Sequence, residues 1–244
     1  MSEKLKIWVI VEFGDKGVKP VSFESIHAAR LLANSLNGAV DALCLGLKHP
    51  DQTSKIMHYG ADNVQVLNNP LFESFTLELW LRVLEPLVQD NQPYAVFFSA
   101  TTHGKELAAS LSARFSAGLA TDCVEIRTAG ERQIIVRRPV YAGKALANLI
   151  LEGSGPHVLS LRPNIFRGPG PNSSRTGTLE LLDFKLPEMN LLLKVLKVVR
   201  EAANELDITE ARVVVSGGLG MQKSENFKLL EDLALMNCPN YITS

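Results

Sequence analysis

Cysteine is scarce in this 244-residue chain: Cys44, Cys123 and Cys238 lie far apart and are odd in number. They form no CxxC pair and no disulfide framework, which excludes a disulfide-stapled secreted scaffold and points to a reducing compartment. A charge excess is missing as well, since 25 Lys and Arg stand against 26 Asp and Glu. That balance excludes the basic footprint of a nucleic-acid binder and a polybasic segment for anionic lipid. No apolar run approaches the roughly 18–20 residues a membrane span needs, so membrane insertion is not expected. A strand-like run, Lys6-Ile7-Trp8-Val9-Ile10-Val11, starts so early that it leaves no room for a signal or transit peptide, and the expected location is the bacterial cytoplasm.

Catalytic spacings are lacking too. His27, His49, His58, His103 and His157 show no HxxxH or HExxH pattern. Gly153-Ser154-Gly155 has the wrong spacing for a nucleophile elbow, and Gly170 to Gly177 has neither the length nor the lysine of a Walker loop. No catalytic residue and no metal site is expected.

What the chain does contain is an alternation of short β-branched runs with helical patterns. Ile7 to Phe13, Ala39 to Leu47, Asn63 to Leu67 and Tyr94 to Ala100 read as strands. Between them, Ser22 is taken as the N-cap of a helix whose apolar face is Ile26, Ala29, Leu32, Ala33 and Leu36. Gln52 to Tyr59 is a short helix closed by Gly60. Leu77, Trp80, Leu81, Leu84, Leu87 and Val88 mark an amphipathic helix that Pro86 should kink or shorten. Leu107, Ala108, Leu111 and Phe115 mark another. Such alternation predicts an α/β fold: a mainly parallel sheet flanked by helices, like an adenine-nucleotide-binding domain.

The middle of the chain predicts antiparallel additions. Val124 to Ile126 and Gln133 to Val136 flank a turn at Ala129-Gly130. His157 to Leu161 is a further strand, Gly168 to Ser174 a loop, and Thr178 to Leu186 extended. The expected domain runs over residues 1–187. A connecting helix and linker fill 188–208, with Met189, Leu192, Leu193, Leu196 and Val199 on one face. A second unit opens at 209 and reaches 244. It has a strand at Ala211 to Val215, a tight turn at Ser216 to Gly220, an N-cap at Ser224, and a helix buried through Phe227, Leu230, Leu233 and Ala234. One strand and one helix cannot cover both faces of a sheet, so this unit reads as the start of an incomplete domain.

The turn Gly217-Gly218-Leu219-Gly220 is the candidate cofactor site. Glycines between a strand and a helix let backbone approach a phosphate, and the helix N-terminus adds N–H donors. It is not a complete GxGxxG, and a plain strand-to-helix turn explains it equally well. Thr101-Thr102-His103-Gly104-Lys105, at the carboxyl end of a strand, is a second candidate, favoured as a capped helix start with a solvated lysine. Arg137-Arg138-Pro139 is read as surface charge on a strand edge.

Three stretches together resemble the alpha subunit of electron transfer flavoprotein. One is His103-Gly104-Lys105-Glu106-Leu107 running on to Ala117-Gly118-Leu119-Ala120-Thr121-Asp122-Cys123. The next is Arg138-Pro139-Val140-Tyr141-Ala142-Gly143-Lys144-Ala145 with Leu161-Arg162-Pro163-Asn164-Ile165-Phe166. The last is Thr209 to Gly218, continuing through Glu225-Asn226-Phe227-Lys228-Leu229-Leu230. The resemblance implies an electron carrier that pairs with a beta subunit and takes electrons from acyl-CoA and related dehydrogenases. It passes them through FAD to a membrane quinone oxidoreductase, as in fatty acid β-oxidation. The cofactor would do the redox chemistry and the protein would position it.

The chain departs from the family pattern in places. Gly104-Lys105-Glu106 stands for Gly-Arg-Asp, Lys144 for asparagine, and Leu219 for an arginine that approaches the flavin nucleotide. Leucine offers no hydrogen bond to a phosphate. After Ala234 the family pattern stops, and the segments supplying most FAD contacts are absent. The expectation is therefore a chain truncated within its FAD domain. Two other readings stay open: a non-redox partner-binding module, and an adenine-nucleotide-binding domain.

Overall fold

Lys6–Val11 (β1) sets the architecture. Successive side chains of a strand point to opposite faces, and here both sets are apolar. Ile7, Val9 and Val11 join one buried cluster, Trp8 and Ile10 another. A strand buried on both faces belongs in the middle of a parallel sheet with helices on each side. The computed structural model places it there. The structure describes residues 4–14, 16–47, 50–130, 132–153, 155–183, 191–193, 195–198 and 213–237.

The chain continues through β2 (Phe13–Gly14), β3 (Gly17–Val18), α1 (Pro20–Leu36), β4 (Ala39–Leu45), α2 (Thr53–Tyr59) and β5 (Asn63–Leu67). Next come α3 (Leu77–Asn91), β6 (Ala95–Ser99), α4 (Thr102–Phe115), β7 (Leu119–Cys123), β8 (Glu125–Ala129) and β9 (Gln133–Val140). β10 (Ala145–Leu151), β11 (His157–Leu161), β12 (Thr178–Leu181) and α5 (Lys228–Asn237) follow. Seven strands form one parallel sheet in the order β12-β5-β4-β1-β6-β11-β7. α1 and α2 cover one face through Phe23, Ile26, Ala29 and Ile56. α3 and α4 cover the other through Leu79, Val83, Leu84, Leu107 and Leu111. The antiparallel sheet β8-β9-β10 turns Ile134, Val136 and Leu151 toward the α1 side.

Two compact units result, Met1–Val195 and Leu196–Ser244, and the seven-stranded sheet, the three-stranded sheet and the β2-β3 pair all belong to the first. In the second, Ser224–Phe227 is a 3-10 turn leading into α5.

The predicted α/β class, with its mainly parallel sheet and antiparallel additions, matches this architecture. Several local expectations are corrected. Ser22 lies inside α1 rather than capping it: Pro20, pre-set for the first helical position, starts the helix earlier. Pro86 does not shorten α3, which runs on to Asn91; the cost falls on the carbonyl of Arg82, an exposed position where water can replace the lost N–H. Arg137 and Arg138 sit on β9, the middle strand of its sheet, not on an edge. Ser224 begins a 3-10 turn and caps nothing. Among the described side chains of α5 only Ala234 is buried, while Leu233 stays 48% exposed.

The expected helix through Met189 to Val199 is not formed at residues 191–193 and 195–198, where Leu192, Leu193 and Leu196 are exposed. Met189 and Val199 lie outside the described residues. So do Ala211 and Arg212 of the expected strand, whose remainder, Val213 to Val215, carries an isolated bridge at Val215.

His157 yields a first prediction. It is 1% exposed in β11, with its ring edge-on to Tyr94. Burial disfavours the imidazolium and lowers its pKa, against a smaller opposing contribution from the Gly153 backbone. The unfolded chain takes up this proton near the ordinary histidine value of about 6.5; the folded chain takes it up only at lower pH. The contribution to stability is complete above that value and is lost as pH falls toward the folded pKa, by at most about 1.4 kcal/mol per pH unit. Urea unfolding between about pH 7.5 and pH 5.5 should show a steeper loss for wild type than for His157→Gln. Equal slopes would remove His157 from the pH dependence.

Candidate functional site

An open α/β sheet takes ligands outside the carboxyl ends of its strands, where the strand order reverses. The chain leaves β1 toward β4 and β5, then returns to β6 on the other side. The crevice therefore lies between the ends of β1 and β6, lined by Glu12 and by Ser99 to Thr101. Both long helices that follow, α1 and α4, begin here.

Thr101 caps α4 by accepting the Gly104 N–H at 3.0 Å, and its hydroxyl donates to Glu12 Oε1 at 2.6 Å. Gly104 is required by close approach: a Cβ there would sit 1.9 Å from the Ser99 carbonyl oxygen. His103 stacks on Phe75 with centroids 3.9 Å apart, and Lys105 points to solvent. The stretch Thr101 to Lys105 is thus the capped helix start with a solvated lysine that the sequence favours.

Beside it, the ends of β7 and β11 are joined by a polar clasp. Their register shifts between Leu159 and Leu161, and Ser160 Oγ accepts the Asp122 N–H at 3.0 Å. This turns Asp122, at φ 58, toward Arg162, whose Nε donates to Oδ1 at 3.1 Å. That bond, with further positive charge from Lys105 and Arg138, holds the Asp122 carboxyl below its ordinary range. Arg137 pairs with Glu125 at 2.7 Å and with Asn148 at 3.0 Å. The neighbouring Cys123 is pushed up to about 12 by burial, so its thiol stays protonated and unreactive. Burial raises Cys44 as well. This region can hold charge and bind; it contains no activated nucleophile. No group of His, Cys, Asp and Glu suited to a metal ion occurs among the described residues.

The predicted cofactor turn is built differently from a phosphate loop. At Gly217 a Cβ would meet only side-chain atoms, Leu230 Cδ1 at 2.5 Å and Met221 Cγ at 2.8 Å, both on flexible chains that can shift. Gly218 and Gly220 face open space, and Leu219 is fully exposed. Leu219–Met221 form a 3-10 turn in which the Met221 N–H is spent on Gly218 O at 2.9 Å, and the N–H of Gln222 just after it donates to Leu219 O at 3.1 Å. The α-helix begins only at Lys228, so no helix N-terminus faces the glycines. A flavin nucleotide phosphate at such a turn is held by a helix start together with N–H donors; this turn has no helix start behind it and Leu219 offers no polar side chain, so its described residues do not fit one.

Sequence reasoning passes over Glu12 as a site residue. Its signal is a carboxylate placed directly after a strand buried on both faces, where a solvated loop residue would be ordinary.

Comparison with known proteins adds a relationship. Residues 7–187 match the electron transfer flavoprotein domain family. The electron transfer flavoprotein subunit alpha of Bacillus subtilis (strain 168) is 30% identical over 230 residues, covering 94% of this chain and 69% of that protein. That of Clostridium acetobutylicum is 31% identical over 231 residues, covering 93% of this chain and 69% of that protein. A subunit of the lactate dehydrogenase (NAD(+),ferredoxin) of Acetobacterium woodii is 26% identical over 228 residues, covering 93% and 54%.

Proposed function

The chain belongs to the electron transfer flavoprotein family, and from that membership we propose that it acts as an alpha-type subunit of such a carrier. Electron transfer is the role supported by its relatives' names. In the finer reading, residues 1–187 are the α/β domain that pairs with a beta subunit, 188–208 connect, and 209–244 begin the FAD-binding domain. Electrons come from acyl-CoA or related dehydrogenases and go to a quinone oxidoreductase. The relative from Acetobacterium woodii, named for lactate, supports a wider range of donors.

The observation that carries this reading is the family match running through the whole α/β unit. FAD, when bound, supplies the redox chemistry. What the chain's own residues contribute is a rigid scaffold and a charged rim at Asp122, Arg138 and Arg162. Because the Gly217 to Gly220 turn does not fit the nucleotide, holding FAD depends on residues outside it. A non-redox partner-binding role for the α/β unit is the second reading, favoured by that same misfit.

The flavin absorbance spectrum of the purified chain, alone and co-expressed with a beta subunit, tests both. The expected result is a stable complex with the beta subunit and no stoichiometric flavin in the chain alone. A chain that co-purifies with no beta subunit overturns the subunit reading. Stoichiometric flavin in the isolated chain overturns the account of the turn, and a stable complex that never carries flavin favours the non-redox role.

A further inference from the structure

The crevice between β1 and β6 is where this topology takes a ligand, and the N-termini of α1 and α4 both lie at it. Helix N-termini attract anions through free N–H groups and the helix dipole. Here the chain supplies the anion itself. Glu12 follows β1 directly and is only 9% exposed. Its Oε1 accepts the Thr101 hydroxyl at 2.6 Å, and a Cβ on Gly104 would lie 3.2 Å from that same oxygen, so the first turn of α4 rests against the carboxylate. Its Oε2 is buried without a hydrogen-bond donor, 3.6 Å from Lys19 Nζ at the start of α1. The main chain is held as firmly: Glu12 N–H donates to Ser22 Oγ at 2.8 Å, and its carbonyl accepts Lys19 N–H at 2.9 Å.

We propose that the Glu12 carboxylate is the resident anion of this crevice, standing where a ligand phosphate would otherwise sit. The domain then has the topology of a nucleotide binder but accepts phosphate-bearing ligands only when that carboxylate is removed. Lys19, Thr101 and the two helix starts are the donor set a phosphate would inherit. This goes beyond the electron-carrier reading and does not rest on it.

The test uses the full chain as wild type, Glu12→Ala, and Leu84→Ala as a variant destabilised elsewhere in the core. Calorimetry and thermal unfolding are followed with inorganic phosphate, acetate and AMP, against chloride at matched ionic strength. Wild type should bind neither phosphate nor AMP. Glu12→Ala should bind phosphate at least about ten-fold more tightly than wild type, and acetate should raise its melting temperature more than that of Leu84→Ala. Binding of AMP or phosphate by wild type overturns the proposal, as does a Glu12→Ala response matching Leu84→Ala. If Glu12→Ala does not fold in chloride, its refolding yield decides. Recovery in phosphate or acetate is expected, and equal yields in all three salts overturn the assignment.

Discussion

Replacing Gly104 by alanine is expected to cost the α/β unit about 3 kcal/mol or more, the upper end of what overpacking costs. The added Cβ would lie 1.9 Å from the Ser99 carbonyl oxygen, well inside contact distance. Neither partner can yield cheaply. The carbonyl belongs to β6, paired on both sides in the sheet centre, and Gly104 belongs to the first turn of a helix capped by Thr101. Moving α4 outward would also break the Thr101 contact with Glu12 and open the crevice. Gly118 is the matched control, since a Cβ there meets only Leu151 Cδ2 at an ordinary 3.6 Å. Urea unfolding should show a large loss for Gly104→Ala and little change for Gly118→Ala. A Gly104→Ala variant within about 0.5 kcal/mol of wild type, the range of harmless surface changes, would mean that α4 is not seated as described.

Gly104 also shows where sequence reading succeeds and where it stops. β5 and β11 have their expected limits because β5 alternates polar and apolar residues, β11 is mostly apolar, and each is followed by polar and turn residues. The parallel sheet follows from strands apolar on both faces, a local signal. β7 was not expected: Leu119–Cys123 includes a register shift and a positive φ at Asp122, so it shows no clean alternation. β10 was not expected either, because the hairpin before it turns through positive φ at Tyr141, Ala142 and Gly143 instead of an Asn-Gly pair. The crevice depends on contacts between residues such as Glu12 and Thr101, distant in sequence, which no local pattern encodes. The family motifs were legible because they are strings of residues. The glycine turn stays open in the sequence between a phosphate loop and a plain strand-to-helix turn, because where α5 begins and how far Leu219 is exposed are not written in the string of glycines.

The same distinction makes Asp62 a consequential position although no motif marks it. Asp62 accepts the Val40 N–H at 2.9 Å and Arg175 at 2.8 Å, and pairs with Arg30 as well. Burial works against its charge, but the Val40 N–H and the two guanidinium groups outweigh that and hold its carboxyl below the ordinary range. Through Arg175 it pins the end of the crossover that carries the chain from β11 over to β12. Its own carbonyl receives the Thr178 N–H at 2.9 Å, starting β12 beside β5. Asp62→Ala leaves two arginines without their counter-charge. The side chain is 34% exposed, so solvent screening reduces the loss, and about 2 kcal/mol is expected. The effect should also be local, with hydrogen exchange at Leu182, bonded to Val66 across this edge, rising more than exchange at Phe97 in the sheet centre. The pH dependence follows from the sign of the shift. A depressed carboxyl stabilises the fold above its unfolded value of about 3.9, and that contribution is lost as pH falls through the lower folded value. Wild type should therefore lose stability on that acid limb more steeply than Asp62→Ala. Parallel acid limbs, or exchange rising equally at both sites, would show that Asp62 does not clamp this edge of the sheet.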